Sequence, residues 1–316
     1  MPLSPATPEA IAKTVALLRN GGVVAFPTET VYGLGALVWD TRAVARIFEL
    51  KARPEFDPLI VHVADRSMLE RVAIKLPDSA QLLIERFWPG PLTLVLERQA
   101  RVPELVTAGL ATIAVRMPSH PVARGILRAL GEPIAAPSAN PFGYLSPTRA
   151  EHVAETLGQR VDLILDGGRA IHGLESTIVA FEPVPALLRP GAIPAESIEA
   201  VIGPLERRQP SQAVTAPGQL PVHYAPRTPL RIVEPAGVAL EERRTAGALA
   251  LRDAFDGYAA TRRLSERGDL REAAAAFFDA LHDLDGLGLE RIDAQPLPER
   301  GLGLAMMDRL KRAAAR

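Results

Sequence analysis

Four basic residues stand at the borders of short apolar runs: Lys51 and Arg53 in KARP, Arg116 at the end of TIAVR and Arg189 at the end of LLR. Hydroxyl and amide side chains recur at similar borders. These are Thr30 in FPTETVYGLG, Thr112 ahead of Arg116, Ser138 and Asn140 in APSANP, Ser146 in SPT and Ser176 in GLESTIV. Arginine meets carboxylates and phosphates with a planar fork, and lysine meets them as a point charge. The set suits a triphosphate together with a small carboxylate. No good nucleophile–base pair accompanies it, so positioning and charge neutralisation fit better than covalent catalysis. Each residue alone also has a plainer reading. Lys51 and Arg53 suit a helix C-terminus. Arg116 asks for an anion, which is either an internal carboxylate or a ligand carboxylate. Ser146 suits a helix cap, and Ser176 and Arg189 suit turns.

The elements that must position these residues alternate along the chain. Thr7 and Pro8 start a helix that runs to Gly21 and Gly22. GGVVAF reads as a buried strand. FPTETVYGLG then reads as a strand-to-helix connection, because Asp40 is a good N-cap for TRAVARIFELKAR. Pro54 biases Arg53 out of the helix, which puts Lys51 and Arg53 at a helix-to-loop boundary. PLIVHV, LTLVLE, TIAVRM, PIAAPS, VDLIL and STIVAF read as strands. Strand alternation turns His62 away from Val61 and Val63, and aligns Thr112 with Arg116. The pattern over residues 1–203 is α/β with a mixed sheet. Residues 204–229 carry six prolines and read as a linker. Within it, PVHYAPRTP holds a histidine, a tyrosine and an arginine that a plain spacer does not need. Residues 230–316 read as a small α/β domain.

Composition removes several function classes. Cysteine is absent, which excludes disulfides, thiolate metal sites and a cysteine nucleophile. The six histidines, His62, His120, His152, His172, His223 and His282, form no HxxxH or HxH pair, so no dedicated zinc site is expected. A net charge of −1 is not the footprint of a protein that coats nucleic acid. No apolar run reaches the roughly 20 residues a membrane helix needs, so a soluble cytoplasmic protein with no membrane partner is expected. There is no GK[ST] and no GxSxG, and Gly33-Leu34-Gly35 leads to Val38 where GxGxxG needs glycine.

FPTETVYGLG, KARPEFDPLIVHV, WPGPLTLVL, TIAVRMPSHP, APSANPFGYLSPT, GLESTIV and LLRPGAI together resemble the YrdC family, in the family's order, across nearly all of residues 10–203. HYAPRTP and the C-terminal region resemble its longer, two-domain form. The resemblance implies a twisted open α/β sheet with a deep, basic cavity. It implies that L-threonine, bicarbonate (or CO2) and ATP give threonylcarbamoyl-adenylate and pyrophosphate. A separate transferase then modifies tRNA, and Mg²⁺ comes with ATP. By motif match, Thr30 and His62 would line the threonine pocket, and Arg116 would hold the threonine carboxylate with Ser176 nearby. Lys51 and Arg53 would face the phosphates as the catalytic cations. Thr112, Ser138, Asn140, Ser146 and Arg189 would hold the nucleotide, and Tyr224 would close over the cavity as a lid.

The chain departs from the family pattern at Asp57, where asparagine is common, and at Ala136, where threonine is common. A carboxylate at Asp57 would repel ATP phosphates unless it points away or holds Mg²⁺. The C-terminal domain is also shorter than the resemblance implies. Three rival readings are a YrdC-type carbamoyltransferase, an RNA-binding module that uses the basic cavity, and a catalytically dead regulator. The absence of cysteine argues against the first, the net charge against the second, and intact Lys51, Arg53, Ser138 and Asn140 against the third.

Overall fold

The computed structural model describes residues 3–207 and 223–315. The first long helix, Pro8–Arg19, starts as its residues dictate: Thr7 accepts a hydrogen bond from Ala10 N–H, and proline occupies the first turn. Asp40 likewise caps Thr41–Lys51 by accepting from the amides of Arg42 and Ala43. Among the described residues the large sheet has eleven strands. In chain order these are β1 (Leu3–Pro5), β2 (Val24–Phe26), β3 (Gly33–Leu37), β4 (Ile60–His62), β5 (Leu92–Glu97), β6 (Thr112–Arg116), β7 (Ile134–Ala135), β8 (Leu163–Asp166), β9 (Thr177–Ala180), β10 (Ala186–Arg189) and β11 (Glu206–Arg207). Their order across the sheet is β1-β8-β2-β3-β7-β4-β6-β5-β9-β10-β11, with parallel and antiparallel pairs mixed.

One expectation changes here. FPTETVYGLG is not a strand-to-helix connection: Gly33–Leu37 returns as β3, antiparallel to β2, so residues 27–32 are the loop of a hairpin. The glycines explain the difference. A Cβ on Gly35 would lie 2.6 Å from the Phe26 ring and 2.8 Å from Ile134, so β3 can lie in place only without side chains there. Glycine normally weakens a strand reading, and here it is the condition for the strand.

The C-terminal part carries an all-parallel sheet of β12 (Leu230–Ile232), β13 (Ala246–Ala250), β14 (Ala260–Arg263) and β15 (Arg291–Ala294), in the order β12-β15-β13-β14. Helices Leu270–Asp285 and Leu302–Ala313 pack on it and on each other. Its core does not stop at the domain edge: Val31, Leu145 and Leu174 from the first part join Tyr224, Phe277 and Phe278 in one buried cluster. Of the proline-rich stretch, residues 208–222 lie outside the described residues. Before them, Glu206–Arg207 pairs with β10; after them, His223, Tyr224 and Ala225 are buried. No described helix is long and apolar enough to cross a membrane.

Candidate active site

The hairpin loop roofs a cavity whose floor is one face of β4 and β6. Arg116 ends β6 and reaches under the loop. Its Nη1 donates to Thr30 Oγ1 at 2.8 Å, and its Nη2 lies 2.6 Å from Glu29 Oε1. The two side chains of this ion pair are 4% and 1% exposed. Of the two partners the sequence allows, this state therefore shows the internal carboxylate. Yet Nε of Arg116 has no acceptor, so the guanidinium keeps a donor for a second carboxylate. Burial raises the Glu29 carboxyl, but the Arg116 charge and hydrogen bonds outweigh it and hold Glu29 below its ordinary value. His62 lies beside Arg116 on the neighbouring strand. Burial first, and the Arg116 charge second, push it down to about 3. It is therefore neutral at pH 7 and offers a ring and an unpartnered Nδ1, not a charge.

The opposite wall gathers cations. Lys51 closes its helix, and Ala52 in the left-handed conformation (φ 50°) turns the chain toward Arg53. Lys51 Nζ donates to the Ser138 carbonyl at 2.6 Å and to the Asn140 carbonyl. Arg53 donates from Nε to the Asp57 carbonyl (3.0 Å) and from Nη2 to the Pro58 carbonyl (2.8 Å), and lies 2.9 Å from Asp57 Oδ2. Burial lowers the pKa of both cations and raises that of Asp57. The carboxylate expected to repel phosphate is thus the buried counter-ion of Arg53. Arg189 donates to the Ser176 carbonyl at 3.1 and 2.9 Å and to Ser176 Oγ at 3.1 Å. Close approach of two loops makes this possible: a Cβ on Gly191 would stand 2.4 Å from Thr177 N.

Thr30, Arg53, His62, Arg116, Ser138, Ser176, Arg189 and Tyr224 line this one cavity, as does Ala136. Lys51 and Asn140 sit behind its wall, tied to each other as described. Ser146 donates to Glu175 Oε1 at 2.5 Å, and Glu175 is part of the lining. Thr112 is placed apart. It lines a second hollow with Val95, Ala180 and Leu188. It shares a face of β6 with Arg116, but four residues of strand separate them by roughly 13 Å. An apolar cluster that includes Ile60, Val95, Ala114 and Leu188 joins the two hollows. Sequence reasoning did not single out Glu29, Glu175 or Arg309. The two glutamates stand inside quoted motifs and were passed over for the hydroxyls beside them. Arg309 gives no signal, because it sits on an ordinary amphipathic helix.

Tyr224 fills the cavity as well as covering it. It is buried, lies 4.1 Å from the His223 ring and shares a hydrogen bond with Arg189. The free space left is about 50 Å³, room for a few waters.

A large mixed sheet followed by a second, smaller domain is the architecture on which the comparisons agree. The Sua5/YciO/YrdC family model, described as "Telomere recombination", matches residues 16–191, and the model described as "Threonylcarbamoyl-AMP synthase, C-terminal domain" matches residues 193–315. The chain belongs to the Sua5/YciO/YrdC family, in its two-domain form. It is 44% identical to the threonylcarbamoyl-AMP synthase of Bacillus subtilis, over 96% of this chain and 92% of that one. It is 43% identical to the threonylcarbamoyl-AMP synthase of Pyrococcus abyssi, over 94% and 92%. The crystal structure of P. abyssi Sua5 complexed with L-threonine superposes with a TM-score of 0.92 at 40% identity, covering 99% of this chain and 96% of that one.

Proposed function

We propose that this chain is a threonylcarbamoyl-AMP synthase, an enzyme of the nucleotidyltransferase type that joins L-threonine, bicarbonate (as CO2) and ATP into threonylcarbamoyl-adenylate and pyrophosphate. The observation that carries the reading is a single cavity with two differently equipped ends. An unfilled arginine donor beside Thr30 and neutral His62 suits an amino-acid carboxylate. Arg53 and Arg189 in the lining, with Ser138 and with Lys51 behind them, suit phosphates. The apolar cluster leading to Thr112 suits the nucleoside. Relatives bearing this name span the whole architecture, and one of them is titled as a complex with L-threonine.

The chemistry needs little more than these residues. The threonine amine attacks CO2 and loses a proton, giving a carbamate. A carbamate oxygen attacks the α-phosphorus, the bond from that phosphorus to the bridging oxygen breaks, and pyrophosphate leaves with the electron pair. The nucleophile is already an anion, so the step needs charge masking and alignment more than a strong base. Arg116 fixes the carboxylate, Arg53 and Arg189 face the phosphates, and Lys51 adds its charge from behind the wall while holding the Ser138 and Asn140 carbonyls. Mg²⁺ arrives with ATP as part of the substrate, and Asp57 is the carboxylate nearest the phosphate-facing cations. The His223–Tyr224 segment must withdraw to admit ATP and return to exclude water from the carbamate and the adenylate. The adenylate then passes to a tRNA threonylcarbamoyl transferase. The test is pyrophosphate release with each substrate omitted in turn. Release requiring threonine and bicarbonate supports the reading. Release with neither contradicts it, and salt-sensitive RNA binding without turnover would favour an RNA-binding module.

A further inference from the structure

Arg309 is a charged side chain with no solvent exposure. It comes from the C-terminal helix Leu302–Ala313, outside every segment that builds the cavity. Its Nε donates to Glu175 Oε2 at 3.0 Å and its Nη1 to the Pro190 carbonyl at 2.8 Å. Its guanidinium lies 5.0 Å from the centre of the Tyr224 ring. Glu175 lines the cavity, and its other oxygen accepts from the Ser146 hydroxyl. Tyr224 is therefore held between two arginines: Arg189 from the catalytic sheet and Arg309 from the C-terminal domain. Its backbone is left-handed, with φ 62°, a conformation that a bulky residue keeps only where its surroundings impose it. Ala225 N–H ties the next residue to the Gly143 carbonyl at 2.8 Å.

We propose that Arg309 is a positioning residue that latches the His223–Tyr224 segment into the cavity, so that the C-terminal domain sets how long the adenylate is held. A well-packed apolar side chain at this helix position would serve the fold as well or better, since burying an ion pair is a poor route to stability. What the charge adds is a fixed arrangement. One guanidinium meets the carboxylate that carries Ser146 and the ring that closes the site. Guanidinium over an aromatic face is attractive, and more so when desolvated. Without it the left-handed turn loses one of its constraints, and the segment spends more time outside the cavity. The kinetic consequence rests on the synthase reading, whereas the latch itself does not.

The test compares full-length wild type with Arg309→Met and with the double variant Arg309→Gln/Glu175→Gln, which leaves no buried charge unpaired. Two quantities are read: amide hydrogen exchange of residues 223–225, and the half-life of enzyme-formed adenylate against hydrolysis. Exchange of the segment is expected to rise about tenfold, and the adenylate half-life to fall by a similar factor, the ordinary weight of one largely desolvated guanidinium–aromatic contact. Strands β4 and β6 and the helix Leu302–Ala313 should keep their protection. Arg309→Lys, which retains the charge but not the fork, should fall between. Should Arg309→Met fail to fold, the double variant decides. Segment exchange within twofold of wild type in a folded variant would overturn the latch. So would loosening spread evenly over the C-terminal domain, because that describes a merely structural residue. A wild type that forms no adenylate would defeat the synthase reading, and the exchange data would still decide the latch.

Discussion

Replacing Arg116 by methionine separates its two roles, partner of Glu29 and receptor for a substrate carboxylate. The substitution keeps an unbranched apolar stem and removes the fork. Glu29 would then be a carboxylate with 1% side-chain exposure and no counter-ion. Breaking a buried pair from one side costs about 3–5 kcal/mol. At about 2–4 °C per kcal/mol for a domain of this size, the melting temperature should fall by roughly 10 °C. The double variant Arg116→Met/Glu29→Gln leaves no buried charge and should recover most of that loss. Recovery should not extend to threonine. Losing a charged hydrogen-bonded contact to the substrate carboxylate is worth about 2–3 kcal/mol, or roughly 30–150-fold in KM for threonine. The assay is thermal unfolding of wild type, single and double variants, together with threonine titrations of pyrophosphate release. A double variant with normal threonine KM would refute the carboxylate-receptor role. A single variant as stable as wild type would refute the account of the buried pair.

Lys51→Met should lower pyrophosphate release at least 100-fold and raise hydrogen exchange of residues 138–144, since Nζ is the tie between two carbonyls of that loop; normal turnover would remove Lys51 from the phosphate site. Arg53→Met/Asp57→Asn should stay folded and inactive, and activity within threefold of wild type would show that Arg53 serves only Asp57. Thr112→Val should raise the KM for ATP by about 3–10-fold with threonine KM unchanged, as expected for one neutral hydrogen bond at the nucleoside end; equal effects on both substrates would contradict that placement. Stability should fall on acidification: His62 is pushed down to about 3, and His152 and His282, stacked at 3.8 Å, to about 4 each, with burial the leading cause. The unfolded chain then binds more protons than the native one, so the contribution is intact above about pH 6.5 and is lost as pH falls toward 4. Between pH 7 and pH 5 each histidine should remove about 2 kcal/mol, or about 6 kcal/mol together, readable by denaturant titration at the two values; equal stability at both pH values would show that these rings are not buried neutral.

Much of this was legible because the chemistry-bearing residues sit at ends of elements, where capping and strand period are strong signals. Asp40, Pro54 and the Lys51–Arg53 boundary follow from local rules, and so does the opposition of His62 to Val61 and Val63, which the structure places in the main core. The hairpin at Gly33 was hidden because glycine speaks against a strand unless the ring that must lie over it is known. Thr112 was grouped with Arg116 by shared face, and a shared face says nothing about distance along it. Glu29, Glu175 and Arg309 escaped for a common reason. Their ion pairs join residues more than 80 positions apart, Glu175 and Arg309 across the two domains, which no local pattern encodes.

The central claim is that one cavity joins a carboxylate-bound amino acid, a one-carbon unit and an adenylate. The most direct measurement is incubation of the full chain with ATP, Mg²⁺, L-threonine and ¹³C-bicarbonate, followed by mass spectrometry of the nucleotide product. The account predicts a threonylcarbamoyl-adenylate carrying one ¹³C per molecule, formed in step with pyrophosphate. Pyrophosphate without a labelled adenylate, or a product indifferent to threonine, would contradict it.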